Sequence, residues 1–390
     1  MIKYIGSKRM LAPLLEDVAR RLPITSICDL FAGTTRVGQA FRRAGRHVVS
    51  NDLASYSEAF GQAYIAAGPD LDRELLRRML RELGRLPGAP GYVTETFCRQ
   101  ARYFSEDNGA LIDAVRVGID ELAPDPVMRG CLLTSLLEAA DRVDSTCGLQ
   151  MAYLKQPAAR SLRPLELREP EAVAGPAGEV LRRDASALAP ELTGIDCTDL
   201  DPPYNQHSYF SNYHVWETIT RGDRPESYGI ARKRVDCRTT RSPFNSARLA
   251  SDAMVELIAA IPTPWVILSL NDEGFHDPVA VAELLSERGH VASLAIDVPR
   301  YVGARIGIHN PAGERVGTIS HVRATEWLVV CGPDRAAVAA AFDAPADEIR
   351  RPGSAAPPGR PSSSPSVDLG SERLLHAPGA EQARAATGDP

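Results

Sequence analysis

The stretch DLDPPYNQHSYF, residues 199–210, sets a carboxylate, two prolines and a tyrosine in a row. Paired prolines stop a strand and forbid a helix. They also remove two backbone donors, so the loop is stiff and rich in acceptors. Asp201 and the carbonyl of Pro202 or Pro203 can then aim at one small group, and an exocyclic amine with two N–H bonds is the natural match. The lone pair of an aromatic amine is delocalised and poorly nucleophilic. Accepting both its hydrogens favours a tetrahedral nitrogen and frees that pair for direct displacement at an activated methyl group. Positioning and electrostatics supply most of such catalysis. Neither a metal nor a nucleophilic cysteine is required. Tyr204 is expected to stack on the base that carries the amine, a contact worth about 1–3 kcal/mol. A base inside a duplex must be flipped out to reach such a loop.

A second constellation, DLFAGTTRVG, covers residues 29–38. Gly33 permits a tight turn where backbone approaches a ligand, and the helix that follows favours negative charge at its start. Asp29 and Phe31 belong to the same turn. Asp52 lies 19 residues beyond Gly33, where nucleotide-binding α/β folds place an acid on ribose hydroxyls. The phosphate fingerprint GxGxxG is absent, which weighs against NAD. A nucleoside without phosphates fits better, and S-adenosyl-L-methionine is one. Asp184 is a third acid at a strand end, expected to accept from the amino group of the cofactor's adenine.

These residues need a sheet behind them. ITSICDLFAG reads as a buried strand, RVGQAFRRAG as a short helix closed by Gly45, and HVVSND as a second strand. That is a β–α–β unit, preceded by the amphipathic helix KRMLAPLLEDVARRL. Further strands are expected at 179–185, 195–201, 265–271, 291–298 and 325–332. The last two, with a turn at NPAGE, form an antiparallel hairpin on an otherwise parallel sheet. Between these strands the sequence is helical from about Ala59 to Ser145. Leu111, Val115, Ile119 and Leu122 share one face of one helix; Leu132, Leu133, Leu136, Leu137 and Ala140 share a face of another. The expected division is 1–58 and 176–342 for a mixed α/β domain, 59–175 for a helical insertion, and 343–390 for a disordered tail of Pro, Ala, Ser and Gly.

The 390 residues are 44% hydrophobic and 24% charged, a globular composition, and no apolar run is long enough to span a membrane. Seven scattered cysteines without a C-x-x-C pair point to free thiols in a reducing, cytoplasmic setting. The net charge of −6 excludes a uniformly basic coat but not a local basic face. Residues 221–248 carry eight Lys/Arg against three Asp/Glu. Arg232, Lys233 and Arg234 are the candidates there for DNA phosphates.

Taken together, YIGSK at the N-terminus, the DLFAGTTRVG turn, an insertion and then DPPY resemble the Dam-like, alpha-group DNA adenine methyltransferases. The likeness is greatest to modification methylases of the FokI type, and runs to about Gly332. HSYFSNYHVWET, SPFNS and RYVGARIGIHNPAG are further matching stretches. The resemblance implies a Rossmann-like class I methyltransferase sheet with a target-recognition insertion. It places Tyr4, Gly6 and Lys8 beside the cofactor, with Lys8 near the methyl donor or target base. It implies methylation of adenine N6 in a specific sequence of double-stranded DNA. A cognate restriction endonuclease would act on the same site without a stable complex. The chemistry alone also admits cytosine N4, an amine in RNA, or a DNA-binding module without turnover. Thr35 stands where the family often has a second glycine. Some of His207, Tyr209, Asn212 and Tyr213 are expected to line the pocket.

Overall fold

The computed structural model describes residues 2–6, 8–146, 148–150, 156–299, 323–343 and 367–368. The chain opens with a 3₁₀ turn at Lys8–Met10 and helix α1 at Ala12–Arg21. Strand β1 (Ser26–Asp29), helix α2 (Arg36–Arg43) and strand β2 (His47–Asn51) then complete the expected β–α–β unit. Helices α3 (Ser55–Gly61), α4 (Arg73–Leu83), α5 (Glu106–Leu122) and α6 (Pro126–Arg142) make up the helical region. Side-chain caps at Asp72, Ser105 and Asp125 start the last three by accepting from the first-turn N–H groups.

The sheet resumes with β3 (Glu179–Leu181), helix α7 (Ala185–Leu188) and β4 (Cys197–Leu200). Helices α8 (Tyr209–Asn212) and α9 (His214–Arg221) follow. A small hairpin of β5 (Ser227–Tyr228) and β6 (Lys233–Arg234) interrupts the basic stretch. Helix α10 (Ala250–Ala260), β7 (Trp265–Asn271), α11 (Pro278–Ser286), β8 (His290–Pro299) and β9 (Arg323–Gly332) complete the sheet.

The order across the main sheet is β8-β9-β7-β4-β1-β2-β3. β7, β4, β1, β2 and β3 are parallel; β9 is antiparallel to both β7 and β8, as the sequence suggested. Val367–Asp368 adds a short antiparallel strand, β10, beside β8. The rest of the expected tail after Asp343 lies outside the described residues, as do NPAGE and RYVGARIGIHNPAG.

Alternation along the strands feeds both faces of the sheet. Ile27 and Ile267 pack with Leu15, Val18 and Phe41 of α1 and α2. Cys28, Val266 and Leu268 pack with Leu257 of α10 and Leu285 of α11. Burial on both faces is what a parallel sheet requires. The helical region builds its own core, in which Leu76, Phe97, Ile112, Val115, Leu136 and Leu137 meet Val215, Trp216 and Ile219 of α9. Six cysteines are among the described residues, all free and buried. No helix among those residues is long and apolar enough to cross a membrane.

Candidate active site

Because β1, β2, β3 and β4 run parallel, their carboxyl ends open on one edge of the sheet. The chain reverses its winding between β1 and β4, and ligands of open α/β sheets bind at such a point. A cavity there is lined by Tyr4, Gly6 and Lys8, by Phe31 and Gly33, by Asp52, by Asp184, and by Asp201 and Pro203. Residues drawn from five separate stretches of sequence therefore meet at one place.

The glycine turn is held from below and from the side. Gly33 has φ +51, and a Cβ there would sit 3.3 Å from the Tyr4 ring. Its N–H donates to Asp52 Oδ2 at 2.9 Å, while Asp52 Oδ1 accepts from Ala54 N at 2.9 Å. Burial raises the Asp52 carboxyl, and these backbone donors pull it back. Thr35, where a glycine was expected, is itself left-handed at φ 59. Its hydroxyl donates to Thr34 O and accepts from Gln39 Nε2. The turn therefore keeps a glycine-like backbone in spite of the side chain.

Asp29, expected with the cofactor group, does not line this cavity. It is buried behind the turn, and its Oδ2 accepts from Gly38 N at 2.9 Å. It anchors the start of α2 instead. Burial pushes its carboxyl up to about 7, against the Gly38 N–H and helped by Asp201 and Asp52. Its register partner on β4 is Asp199, also buried, with no hydrogen-bond partner for either oxygen among the described residues. Burial, Asp29 and Asp201 all raise Asp199 well above the usual carboxylate range.

Asp201 follows β4 directly. Lys8 Nζ lies 3.0 Å from Asp201 Oδ1 and 3.1 Å from Glu326 Oε2, and the Lys8 side chain is only 4% exposed. Burial pushes the Asp201 carboxyl up to about 6; Lys8 opposes this and Glu326 adds to it. Burial alone would lower Lys8, but Asp201 and Glu326 hold it above its ordinary range. Lys8 therefore stays an ammonium at neutral pH. Tyr204 lies outside the cavity wall, with Lys8 Nζ 5.9 Å from its ring centroid.

The loop after Tyr204 is pinned from two sides. Phe275 N donates to Tyr204 O at 2.8 Å, and Asn245 Nδ2 donates to Asn205 O at 2.8 Å and to His207 O at 3.2 Å. Asn245 belongs to SPFNS, whose Phe244 meets Phe31 edge-on at 5.6 Å. Of the four residues following the loop, Tyr209 lines the cavity. His207 is exposed, while Asn212 and Tyr213 are buried behind it. Tyr209, Tyr4, Tyr213 and Trp216 form a stacked column, with centroid spacings of 5.3, 4.5 and 4.6 Å. Gly6, at φ +70, lets the column close, since a Cβ there would fall 2.6 Å from the Tyr209 hydroxyl.

Arg36, Tyr56, Arg183 and Arg241 also line the cavity, and Glu326 sits behind it; sequence reasoning named none of them. Glu326 left one trace, as an acid within an otherwise apolar strand. The three candidates of the basic stretch are placed differently from one another. Arg234 is 2% exposed and its guanidinium is spent on Asp223 and Asp236, with contacts of 2.8–2.9 Å to each. It ties the base of the β5–β6 hairpin and is closed to phosphate. Arg232 and Lys233 are half-buried, whereas Arg224, Arg238, Arg241 and Arg248 are exposed. The Arg238 guanidinium lies 4.1 Å from the Tyr228 ring centroid.

A parallel sheet finished by an antiparallel strand pair, with an acid-proline-proline-tyrosine loop beside a glycine turn, defines a class. The chain belongs to the D12 class N6 adenine-specific DNA methyltransferase family, whose profile matches residues 4–261. Within that class it is similar to modification enzymes. It is 33% identical over 304 residues to the Type II methyltransferase M.NlaIII of Neisseria lactamica, covering 74% of this chain and 89% of that protein. Identity to the modification methylase LlaI of Lactococcus lactis subsp. lactis is 31% over 256 residues, covering 60% of this chain and 40% of LlaI. Identity to the Type II methyltransferase M.FokI of Planomicrobium okeanokoites is 27% over 310 residues, covering 74% of this chain and 47% of M.FokI. The protein is an adenine-specific N6 DNA methyltransferase whose relatives are Type II modification methylases.

Proposed function

We propose that the chain methylates N6 of an adenine flipped out of duplex DNA, with S-adenosyl-L-methionine as donor, as the modification half of a restriction system. The partner nuclease would act on the same DNA site without forming a stable complex. The observation that carries the reading is the shared floor of the cavity. Asp201 and the Gly33–Asp52 turn face the same space, with Asp201 Oδ1 held 3.0 Å from the Lys8 ammonium. An ionised carboxylate offers about four acceptor sites, so Asp201 beside one ammonium can still accept from an exocyclic amine.

The residues present suit the donor molecule. Asp52 keeps lone pairs free for ribose hydroxyls although each oxygen already accepts one backbone N–H. Asp184 caps α7 with Oδ1, which leaves Oδ2 for an adenine amino group. Phe31 and Phe244 offer apolar walls. Tyr4, Gly6 and Gly33 shape the space between. When bound, S-adenosyl-L-methionine supplies an electrophilic methyl group.

The remaining work falls to the chain. Asp201 accepts one N–H of the target amine, and the carbonyl of Pro202 or Pro203 accepts the other. This localises the nitrogen lone pair; the N–C bond forms as the methyl carbon's bond to sulfur breaks, and the nitrogen's surplus proton leaves to water, directly or by way of Asp201. Lys8 keeps Asp201 ionised at neutral pH. Tyr204 and Tyr209 offer ring faces to the extruded base. Helices within 59–175 read the target sequence, while Arg232 and Lys233 with the exposed arginines of 221–248 meet phosphates.

The test is Asp201→Ala, assayed with radiolabelled donor on unmethylated DNA. Methyl transfer should vanish while calorimetric donor binding persists. Digesting the product to nucleosides should yield N6-methyladenine. Full transfer by the variant, or N4-methylcytosine in the digest, overturns the reading.

A further inference from the structure

Residues 229–232 form a four-residue turn between β5 and β6, closed by Arg232 N donating to Gly229 O at 3.2 Å. Ile230 stands at its first corner. Turn corners favour proline and short polar side chains, which set or hold the local backbone. Isoleucine does neither, and it stands clear of the protein at 73% exposure. Both ends of the turn are left-handed, Gly229 at φ +69 and Arg232 at φ 50. A residue other than glycine is strained there, and such strain persists only where the surroundings impose it.

The surroundings do impose it. A ladder of two residue pairs is too short to hold itself. Just before β5, Pro225 O accepts from the Tyr92 hydroxyl at 2.7 Å. The buried Tyr103 hydroxyl donates between Gln150 O at 3.0 Å and Ala231 O at 3.1 Å, so it grips the turn one residue beyond Ile230. Arg234 closes the base on Asp223 and Asp236. Ala231 is buried by this anchoring; Ile230 is not. The hairpin is a stiff support with one apolar side chain at its end.

Its base adjoins the cavity. Asp236 pairs at 3.3 Å with Arg221, whose guanidinium lies 5.8 Å from the Phe210 ring centroid. Phe210 lines the cavity, and so do Thr240 and Arg241, four and five residues past Asp236. Arg224 and Arg238 are exposed to either side, with Arg232 and Lys233 half-buried in the hairpin. An apolar tip flanked by cations beside this cavity matches a duplex. The phosphates draw the cations, and the stacked bases admit the tip.

We infer that Ile230 is a wedge that enters the DNA stack beside the target adenine and fills the space this base leaves when it turns into the cavity. The inference rests on the reading of the cavity as the site of a flipped adenine. Extruding a paired base costs its stacking and pairing, which favours its return. An aliphatic side chain between the base steps restores contact for the neighbours and removes the room for return. Because the hairpin is already rigid, no loop has to be ordered as the DNA binds. Ile230 touches no reacting atom, so it is a positioning residue.

The experiment first maps the recognised site, by sequencing a plasmid methylated by wild type. Duplexes carrying that site hold the target adenine either paired with thymine or opposite an abasic position. One turnover at saturating DNA is followed for wild type, I230A, I230L and V255A; Val255 is an exposed aliphatic residue on α10. On the paired duplex I230A should transfer about tenfold more slowly or worse, I230L within about threefold of wild type, and V255A at the wild-type rate. Opposite the abasic position no pair has to be broken, and I230A should return to within about threefold of wild type. The urea midpoint, calorimetric donor affinity and the salt slope of DNA binding should be unchanged in I230A. The residue is exposed, lies outside the cavity wall and carries no charge.

A paired-duplex rate for I230A within about threefold of wild type overturns the inference. So does a slow I230A that the abasic duplex does not rescue, or one with a lowered urea midpoint, since the loss then lies elsewhere than in opening the pair. An I230L as slow as I230A overturns it as well. A wild type that leaves no methyl group on adenine, or a D201A that still transfers, defeats the reading beneath it. Both are seen without any change at residue 230, so the two failures are distinguishable.

Discussion

Asp201, Gly33, Asp52 and the YIGSK residues announce themselves in the sequence because their chemistry lies in residue type and immediate neighbours. A proline pair after an acid has few structural uses, and a glycine between a strand and a helix has few conformations. Glu326 is different. One acid in the apolar strand ATEWLVVCG stands out locally without revealing its role, because its partner is far away in sequence. Asp29 is the opposite case: it sits inside a legible motif but faces inward, onto Gly38 N. The tightest residue-scale constraint is Gly6. Gly6→Ala adds a Cβ 2.6 Å from the Tyr209 hydroxyl and forces φ +70 on a residue that resists it. We expect a loss of about 1–3 kcal/mol in urea denaturation, with weaker donor binding as Tyr209 is pushed into the cavity. A second expectation concerns protonation. Asp201 must be ionised to accept the amine, and its carboxyl is pushed up to about 6. The single-turnover rate of the wild type should therefore fall as pH drops below about 6 and be flat above about 7.

At the scale of elements, the strands and helices were legible almost throughout, since both-face burial leaves continuous apolar runs and amphipathic helices keep their period. The β5–β6 hairpin was not, because two-residue strands carry no period. Missing it led Arg234 to be counted with the basic face. Inside the hairpin that arginine answers Asp223 and Asp236. Arg234→Ala should cost about 3 kcal/mol of stability, at the low end for a broken buried pair because both aspartates stay partly in water. It should leave the salt dependence of DNA binding unchanged once folding is restored by low temperature. Replacing Arg238, Arg241 and Arg248 together by alanine should do the reverse. Stability holds, and the slope of log affinity against log salt becomes shallower by about 0.9 for each phosphate that no longer meets a guanidinium. Filter binding across a salt series separates the two. The SPFNS turn makes a similar point: its asparagine is a clamp on the Asp-Pro-Pro-Tyr loop, which local sequence does not reveal.

Across the whole molecule, the parallel sheet gathers acids at one edge, and the cost appears in its response to pH. Asp29 is pushed up to about 7 and Asp199 well above the usual carboxylate range, while unfolded aspartates titrate near about 3.9. The folded state therefore keeps protons that the unfolded chain releases. The Asp29 contribution to stability is complete below about pH 4 and is lost as pH rises through about 7. Wild type should lose stability steadily from about pH 4 to about pH 7. Asp199→Asn removes one such proton, so the slope should be shallower by up to about 1.4 kcal/mol per pH unit, as read from denaturation midpoints.

The reach of Lys8 to residue 326 has one more implication, for the order of assembly. Lys3 grips Asp141 and Asp144, Ile5 N donates to the Tyr213 hydroxyl, and Lys8 meets β9. All of these partners are synthesised well after residues 3–8. Contacts between such distant positions close late, after nearer ones have formed. Residues 3–8 thus dock late, and a nascent enzyme gains most of its sheet well before it gains the power to modify DNA.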